Sequence, residues 1–403
     1  MRAFDSLCVL VFCLLSACSS TVSTGPAADA GPDTATLSDA TKGSDALAPG
    51  EDSEAAVPDG TERGLASDTG DDSLNDSVAP GDTTTSNDDS ASADVVSDTS
   101  PETLESDAPH VTLPDVTSAT GTVYQFVFSK IVLPRSNGQF AIDLNGDGQP
   151  DNQFGKVVDA LAGYSNPQAA ADDGITRGAT LELIGVQTAD LQNSSMAGAA
   201  LQPAKSMAAP DLSGKGMFTV DSAQPAAQLF GRLSVGVLRT NDPATTTHPV
   251  STVVRFELAV GVDPIALKLN GAHVQGTLSS TGLTQGELHG SALKADFDSA
   301  MIPATAKLLT LQVQTNPLST TTFLVESIFD IGGCTNPDGS PAMAGDNRID
   351  PCEVAQNAQI QSLFAPDVQI FAADGTTYAP NPQNAHKDSV SVGLGFTAIP
   401  ASF

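Results

Sequence analysis

The densest run of potential ligand atoms in the chain is Asp143-Leu144-Asn145-Gly146-Asp147-Gly148-Gln149-Pro150-Asp151. Oxygen-bearing side chains stand at its first, third, fifth and ninth positions, with Gly148 at the sixth. In a tight loop, alternate side chains turn towards one centre, which suits a hard cation. Gln149, at the seventh position, offers its backbone carbonyl, and a glycine at the sixth permits the sharp turn. The spacing therefore predicts a structural Ca2+ site built from Asp143, Asn145, Asp147, Gln149 and Asp151. The competing reading is an acidic, glycine-rich turn that binds no ion.

A second and less complete copy lies further on. Asp346-Asn347-Arg348-Ile349-Asp350-Pro351-Cys352-Glu353 supplies acidic groups at the fifth, ninth and twelfth positions of the same pattern, making Asp346, Asp350 and Glu353 candidate metal ligands. Its first half is missing, with Asp330 or Asp338 as possible substitutes, and Arg348 dilutes the charge. Here the alternative is a loop with exposed carboxylates that is merely closed by a disulfide. The chain shows no Gly-x-Ser-x-Gly elbow, His-Glu-x-x-His helix, phosphate loop or dinucleotide fingerprint. His273 and His289, with Glu287 nearby, sit on opposite arms of an expected hairpin and face each other if the register allows, but exposed strand histidines are common.

Two resemblances follow from these and the opening residues. The Asp143 loop resembles the calcium loops of EF-hand type found in exported proteins, as in dockerin-like modules. It departs from them by having a strand, Phe140-Ala141-Ile142, before it and Phe154 at the twelfth position where those loops carry a bidentate Glu. The N-terminus opens Met1-Arg2, continues through an apolar run too short to span a bilayer, and ends Leu15-Ser16-Ala17-Cys18. That ending resembles the lipobox of bacterial lipoproteins. The resemblance implies a signal peptide over 1–17, a diacylglycerol on Cys18 and membrane attachment through the lipid. Ser19, rather than Asp, after the Cys implies the outer membrane, with the domain facing the periplasm or the cell surface. Of five Cys, Cys8 and Cys13 leave with the signal and Cys18 is lipidated. Cys334 and Cys352 remain as an even pair in a compartment where disulfides persist; the alternative is two buried free thiols.

The elements that must position these residues lie beyond a long acidic segment. Of the formal charge of −31, residues 19–118 contribute 22 Asp or Glu against Lys42 and Arg63, a net of −20. With no aromatic residue and no apolar period, 18–118 reads as a disordered linker that spans roughly 50–60 Å. Neither it nor 119–403 carries a basic patch, so nucleic acid is excluded as a partner. From Thr122 the chain becomes apolar and alternating. Val254, Phe256, Leu258 and Val260 share one face; Ile265, Leu267 and Leu269 share another; Val390, Val392, Leu394 and Phe396 repeat the pattern. Period two with polar partners marks half-buried antiparallel strands. The stretch Val274 to Leu293 reads as a hairpin turning near Ser280-Thr281-Gly282, and Asp263-Pro264, Asn270-Gly271 and Asp374-Gly375 read as turns. Helices are expected over 152–162, 302–314 with Pro303 in its first turn, and 353–364.

The expected whole is mainly β: a β-sandwich-like antiparallel domain over 119–403 with a few short helices, behind a disordered acidic tether. Its expected role is that of a calcium-stabilised, non-catalytic binding, adhesion or envelope structural module, with an extracellular or envelope ligand. The alternative is an extracellular enzyme acting on carbohydrate or another polymer through distant carboxylates. No Trp and only three Tyr speak against a sugar platform.

Overall fold

A computed structural model describes residues 114–403. The expected signal peptide, Cys18 and most of the expected linker lie outside the described residues. Nine antiparallel strands carry the fold: β1 (Thr122–Val132), β2 (Glu182–Thr188), β3 (Ser195–Pro203), β4 (Ala227–Ser234), β5 (Val237–Thr240), β6 (Thr252–Phe256), β7 (Ile265–Ser279), β8 (Gly282–Leu293) and β9 (Ser389–Pro400). Six helices accompany them: α1 (Gln153–Leu161), α2 (Pro167–Thr176), α3 (Lys294–Thr315), α4 (Thr320–Phe329), α5 (Pro351–Gln356) and α6 (Ala358–Leu363).

The mainly antiparallel β character agrees with the sequence, and its closure is a refinement. The strands run in the order β5-β4-β3-β2-β1-β9-β8-β7-β6, and β5 also pairs with β7. Eight strands therefore close into a barrel rather than stacking as two open sheets, and β6 lies outside the ring as an extension of β7. Closure depends on β7 serving two neighbours. Its start, from Ile265 to Leu269, pairs with β6, whereas Gln275 to Thr277 pairs with β5. Between them the ladder breaks at Asn270–His273, where Gly271 adopts φ +61°. The expected Asn270-Gly271 turn is thus an irregularity inside a long strand.

Alternation explains the barrel wall. On β3 and β4, Ala197, Ala199, Leu201, Leu229 and Leu233 are buried while Met196, Gln228 and Ser234 face out. The register continues this face through Ile184 and Val186 of β2 to Phe126 of β1. An eight-stranded barrel is just wide enough for such side chains to fill it, and Phe128 stacks on Phe396 with ring centroids 4.1 Å apart. β9 is buried along nearly its whole length on both faces, instead of the half-buried strand its pattern predicts. Helices cover its second face, with α1 and α3 against β9, while α2 packs on β1 and α3 also on β7 and β8.

The helix α1 forms as its spacing predicts, burying Phe154, Val157, Val158 and Leu161. The expected 302–314 helix is the second half of α3. Burial of Phe297 and Met301 extends it back to Lys294, so Pro303 falls inside the helix, not in its first turn. The expected 353–364 helix is two short ones, parted at Asn357, whose side chain caps α6 by accepting from the Gln359 and Ile360 N–H groups. Among the described residues no helix is long and apolar enough to cross a membrane.

Candidate metal centre

The loop 143–151 leaves a short bridge at Ile142 and returns to it at Asp151, whose N–H donates to the Ile142 carbonyl at 2.8 Å. Asp143 organises the turn. Its Oδ1 accepts from the N–H groups of Gly146 (2.6 Å) and Asp147 (3.2 Å), and its Oδ2 from Gly148 (2.8 Å). Gly146 and Gly148 adopt φ +85° and +79°, a region that costs a non-glycine residue strain. Asn145 Oδ1 accepts from the Asp147 N–H at 3.1 Å, and Asp147 Oδ1 from the Gln149 N–H at 2.8 Å. The loop is thereby coiled around its own carboxylates.

One oxygen from each of Asp143, Asp147 and Asp151 lies within 4.8 Å of the other two, and all three residues are half-buried. This acidic triad can hold a metal ion. Among the described residues it is the one group of three or more His, Cys, Asp or Glu side chains that converge this closely. Asn145 is buried beside it, whereas the Gln149 side chain is exposed, as a residue contributing only its carbonyl would be. Burial pushes the Asp151 carboxyl up to about 7, against a 3.3 Å hydrogen bond from the Leu144 N–H and helped by the charges of Asp367, Asp147 and Asp143.

Three residues that sequence reasoning missed surround the loop. Asn152 spans the gap to β9: its Oδ1 accepts from the Gly393 N–H at 3.0 Å, and its Nδ2 donates to the carbonyls of Gly393 (3.1 Å) and Gln139 (2.6 Å). Gly393 must lack a side chain here, because a Cβ would lie 1.8 Å from the Phe140 carbonyl oxygen. Asn384 Nδ2 donates to Asp147 Oδ2 at 3.0 Å from a segment 237 residues away. Asp367, lifted above the usual carboxylate range by burial, accepts from the Ser391 N–H at 2.8 Å and from its hydroxyl. Asn152 has a sequence signal, an Asx residue just before a helix; Asn384 and Asp367 have none, since only the tertiary fold brings them near. Leu144 anchors the turn in a small apolar cluster with Val368, Ile370 and Phe371.

The second expected loop is not assembled in this way. Glu353 is buried with both carboxylate oxygens occupied by backbone donors, Oε1 by Gly332 (2.6 Å) and Oε2 by Asp350 (2.8 Å). Asp350 lies 3.0 Å from the Arg348 guanidinium, and Asp346 is exposed and accepts from the Arg348 N–H. These three carboxylates therefore do not converge as a ligand set; helix capping and an ion pair use them. Of its possible substitutes, Asp330 accepts from Gly345 and Asn347, and Asp338 from Ser340. The loop is closed by the disulfide Cys334–Cys352, whose Cα atoms are 5.9 Å apart.

The two histidines do meet across β7 and β8. His273 pairs directly with His289, with ring centroids 5.9 Å apart. Burial, then the neighbouring His289, pushes His273 down to about 4, so it is neutral at pH 7. Its Nδ1 meets Thr240 Oγ1 and the Asn241 carbonyl. Two further buried acids pair with arginines: Glu182 with Arg255 at 3.4 Å, and Glu257 with Arg177 at 2.7 Å.

No family model, curated protein or solved structure matches this chain.

Proposed function

We propose that the chain is an exported lipoprotein, held at the outer membrane through a diacylated Cys18, whose barrel is a calcium-stabilised, non-catalytic binding module. The observation that carries the metal reading is the convergence of Asp143, Asp147 and Asp151 in a loop coiled on backbone amides. An all-oxygen donor set favours a hard cation, and the alternating spacing with a carbonyl at Gln149 suits the larger, flexible shell of Ca2+. The twelfth position does not supply the bidentate Glu of the loops it resembles. Phe154 is fully buried in the core there, so the affinity is that of an extracellular site, in the range of roughly 10⁻⁴–10⁻³ M. The binding reading draws on the acidic linker behind a domain with no sequence motif for catalysis.

Titration calorimetry of the full chain tests the metal. One calcium bound per chain, lost in Asp143→Ala and retained in Asp346→Ala, is expected. Absence of calcium uptake at millimolar concentration defeats the metal reading. Radiolabelled palmitate incorporated by the wild-type chain and not by Cys18→Ser tests the anchor, and equal labelling of both defeats it.

A further inference from the structure

One register row crosses the outer face of the barrel on five adjacent strands. Arg232 on β4 lies opposite Arg239 on β5, Arg239 opposite Gln275 on β7, Gln275 opposite Glu287 on β8, and Glu287 opposite Gly395 on β9. Their chain neighbours Leu233, Leu238, Val274, Leu288 and Leu394 are buried, which puts the Arg232, Arg239, Gln275 and Glu287 side chains on the solvent side, while Gly395 lies buried beneath the Phe140 ring. An open groove of about 600 Å3 runs over Arg239, Gln275, Glu287 and Gly395, with Phe140 and Val237 as apolar walls.

The two ends of the groove carry opposite charge. At one end two arginines are direct register partners across β4 and β5, and like charges so placed destabilise a strand pair. Arg232 donates to the Pro114 carbonyl, and among the described residues Arg239 makes no ion pair, although the chain holds 48 Asp and Glu. At the other end Glu287 Oε2 accepts from Gln275 Nε2 (2.7 Å) and meets His289 Nε2 (3.1 Å). Among the described residues nothing donates to its Oε1. His289 is fully buried and its Nδ1 has no partner, so the ring orients the carboxylate from behind. Phe140 and Gln285, both on the groove, adopt φ +53° and +50°. Such strain costs about 1–3 kcal/mol per residue and collects where ligands bind.

Span sets the size of what fits. Strands are about 4.8 Å apart, so Arg239 and Glu287, two strands apart, are separated by roughly 10 Å. An extended peptide advances about 3.3–3.6 Å per residue, which makes two or three residues the matching length. We propose that this groove binds a short zwitterionic peptide, its ammonium on Glu287, its carboxylate on Arg239, and an apolar first side chain against Phe140. The inference names a ligand class for the binding module proposed above and rests on that reading, but not on the metal.

Saturation-transfer NMR and titration calorimetry on the full chain test it, with Phe-Gly-Gly, its N-acetyl and C-amide forms, and cellobiose, each in calcium and in EDTA. Phe-Gly-Gly is expected to bind, and blocking either end to weaken binding at least about tenfold. Glu287→Gln should abolish the preference for a free amine while keeping that for a free carboxylate, and Arg239→Gln should do the reverse. No transfer to any peptide, equal binding of free and blocked forms, or a signal from cellobiose alone overturns the proposal. Peptide binding that persists in EDTA supports it even if calcium uptake fails; calcium uptake without peptide binding overturns the groove and leaves the metal site.

Discussion

If calcium binds only the folded loop, melting temperature must rise with calcium by an amount set by mass action. At a free concentration one hundred times Kd, the stabilisation is about 2.7 kcal/mol. The described domain has about 290 residues, and an unfolding entropy of about 2.1 cal/mol/K per residue gives roughly 0.6 kcal/mol per degree. The shift is then about 4–5 °C, and each further decade of calcium adds about 2 °C. Asp143→Ala removes the acceptor of three loop amides, Gly146, Asp147 and Gly148. Leaving those donors without their carboxylate costs about 1–3 kcal/mol before any metal is added, so the variant should melt lower and its melt should be flat against calcium. Scanning calorimetry is the assay of choice, because a chain with no Trp gives a weak optical signal. A wild-type melt identical in EDTA and in 10-millimolar calcium (about 10⁻² M, above the upper end of extracellular affinities) would refute the reasoning, as would an Asp143→Ala protein that keeps the calcium slope.

Three other outcomes follow from the same geometry. Burial holds the Glu182 carboxyl up at about 8, opposed by Arg255. The unfolded chain ionises this group near 4.5 while the folded one keeps its proton, so its contribution falls as pH rises from about 4.5 to about 8. The stability gap between Glu182→Gln and wild type should move in the variant's favour across that window; a gap constant in pH sinks the assignment. Reducing Cys334–Cys352, a sequence separation of 18, should remove about 3 kcal/mol, or about 5 °C, and a melt unmoved by reductant contradicts it. Restoring the ligand missing from the loop by Phe154→Glu should not tighten calcium binding. Phe154 packs edge-on against Phe256 and Phe297, so losing it alone costs about 3–5 kcal/mol, and a well-folded variant with higher calcium affinity would overturn that account.

What could be read from the sequence was local. The β7–β8 hairpin is legible because Ile265, Leu267 and Leu269 alternate with polar residues and a turn falls at Ser280-Thr281. The helix α1 is legible because its apolar period is unbroken. At β6 the alternation runs past the strand: it ends at Phe256, and Val260 is 54% exposed. Helices α2 and α4 carry weak apolar periods, and their boundaries depend on capping by Asn166 and Ser319, which resemble loop residues in isolation. Barrel closure is set by β5–β7 pairing over only Val237 to Arg239, too few residues to leave a pattern. In the loop 143–151 the ligand spacing was legible, whereas the hydrogen bond from Asn384 and the charge of Asp367 beside Asp151 come from more than 200 residues away. The Asp346 copy misled because a capping Glu and a ligand Glu occupy the same place in a sequence.

The sheet order has a consequence for assembly. The strands β1 to β5 form one run of neighbours and β7 to β8 another, and β9, the last in the chain, lies between β1 and β8. On that side β9 alone joins the two walls, while β5–β7 pairing joins them on the other. Folding through such distant pairings is slow. The loop at Asp143 is tied by Asn152 to Gly393 in that same last strand. The candidate ion site is therefore fastened to the barrel by the strand that joins its two walls.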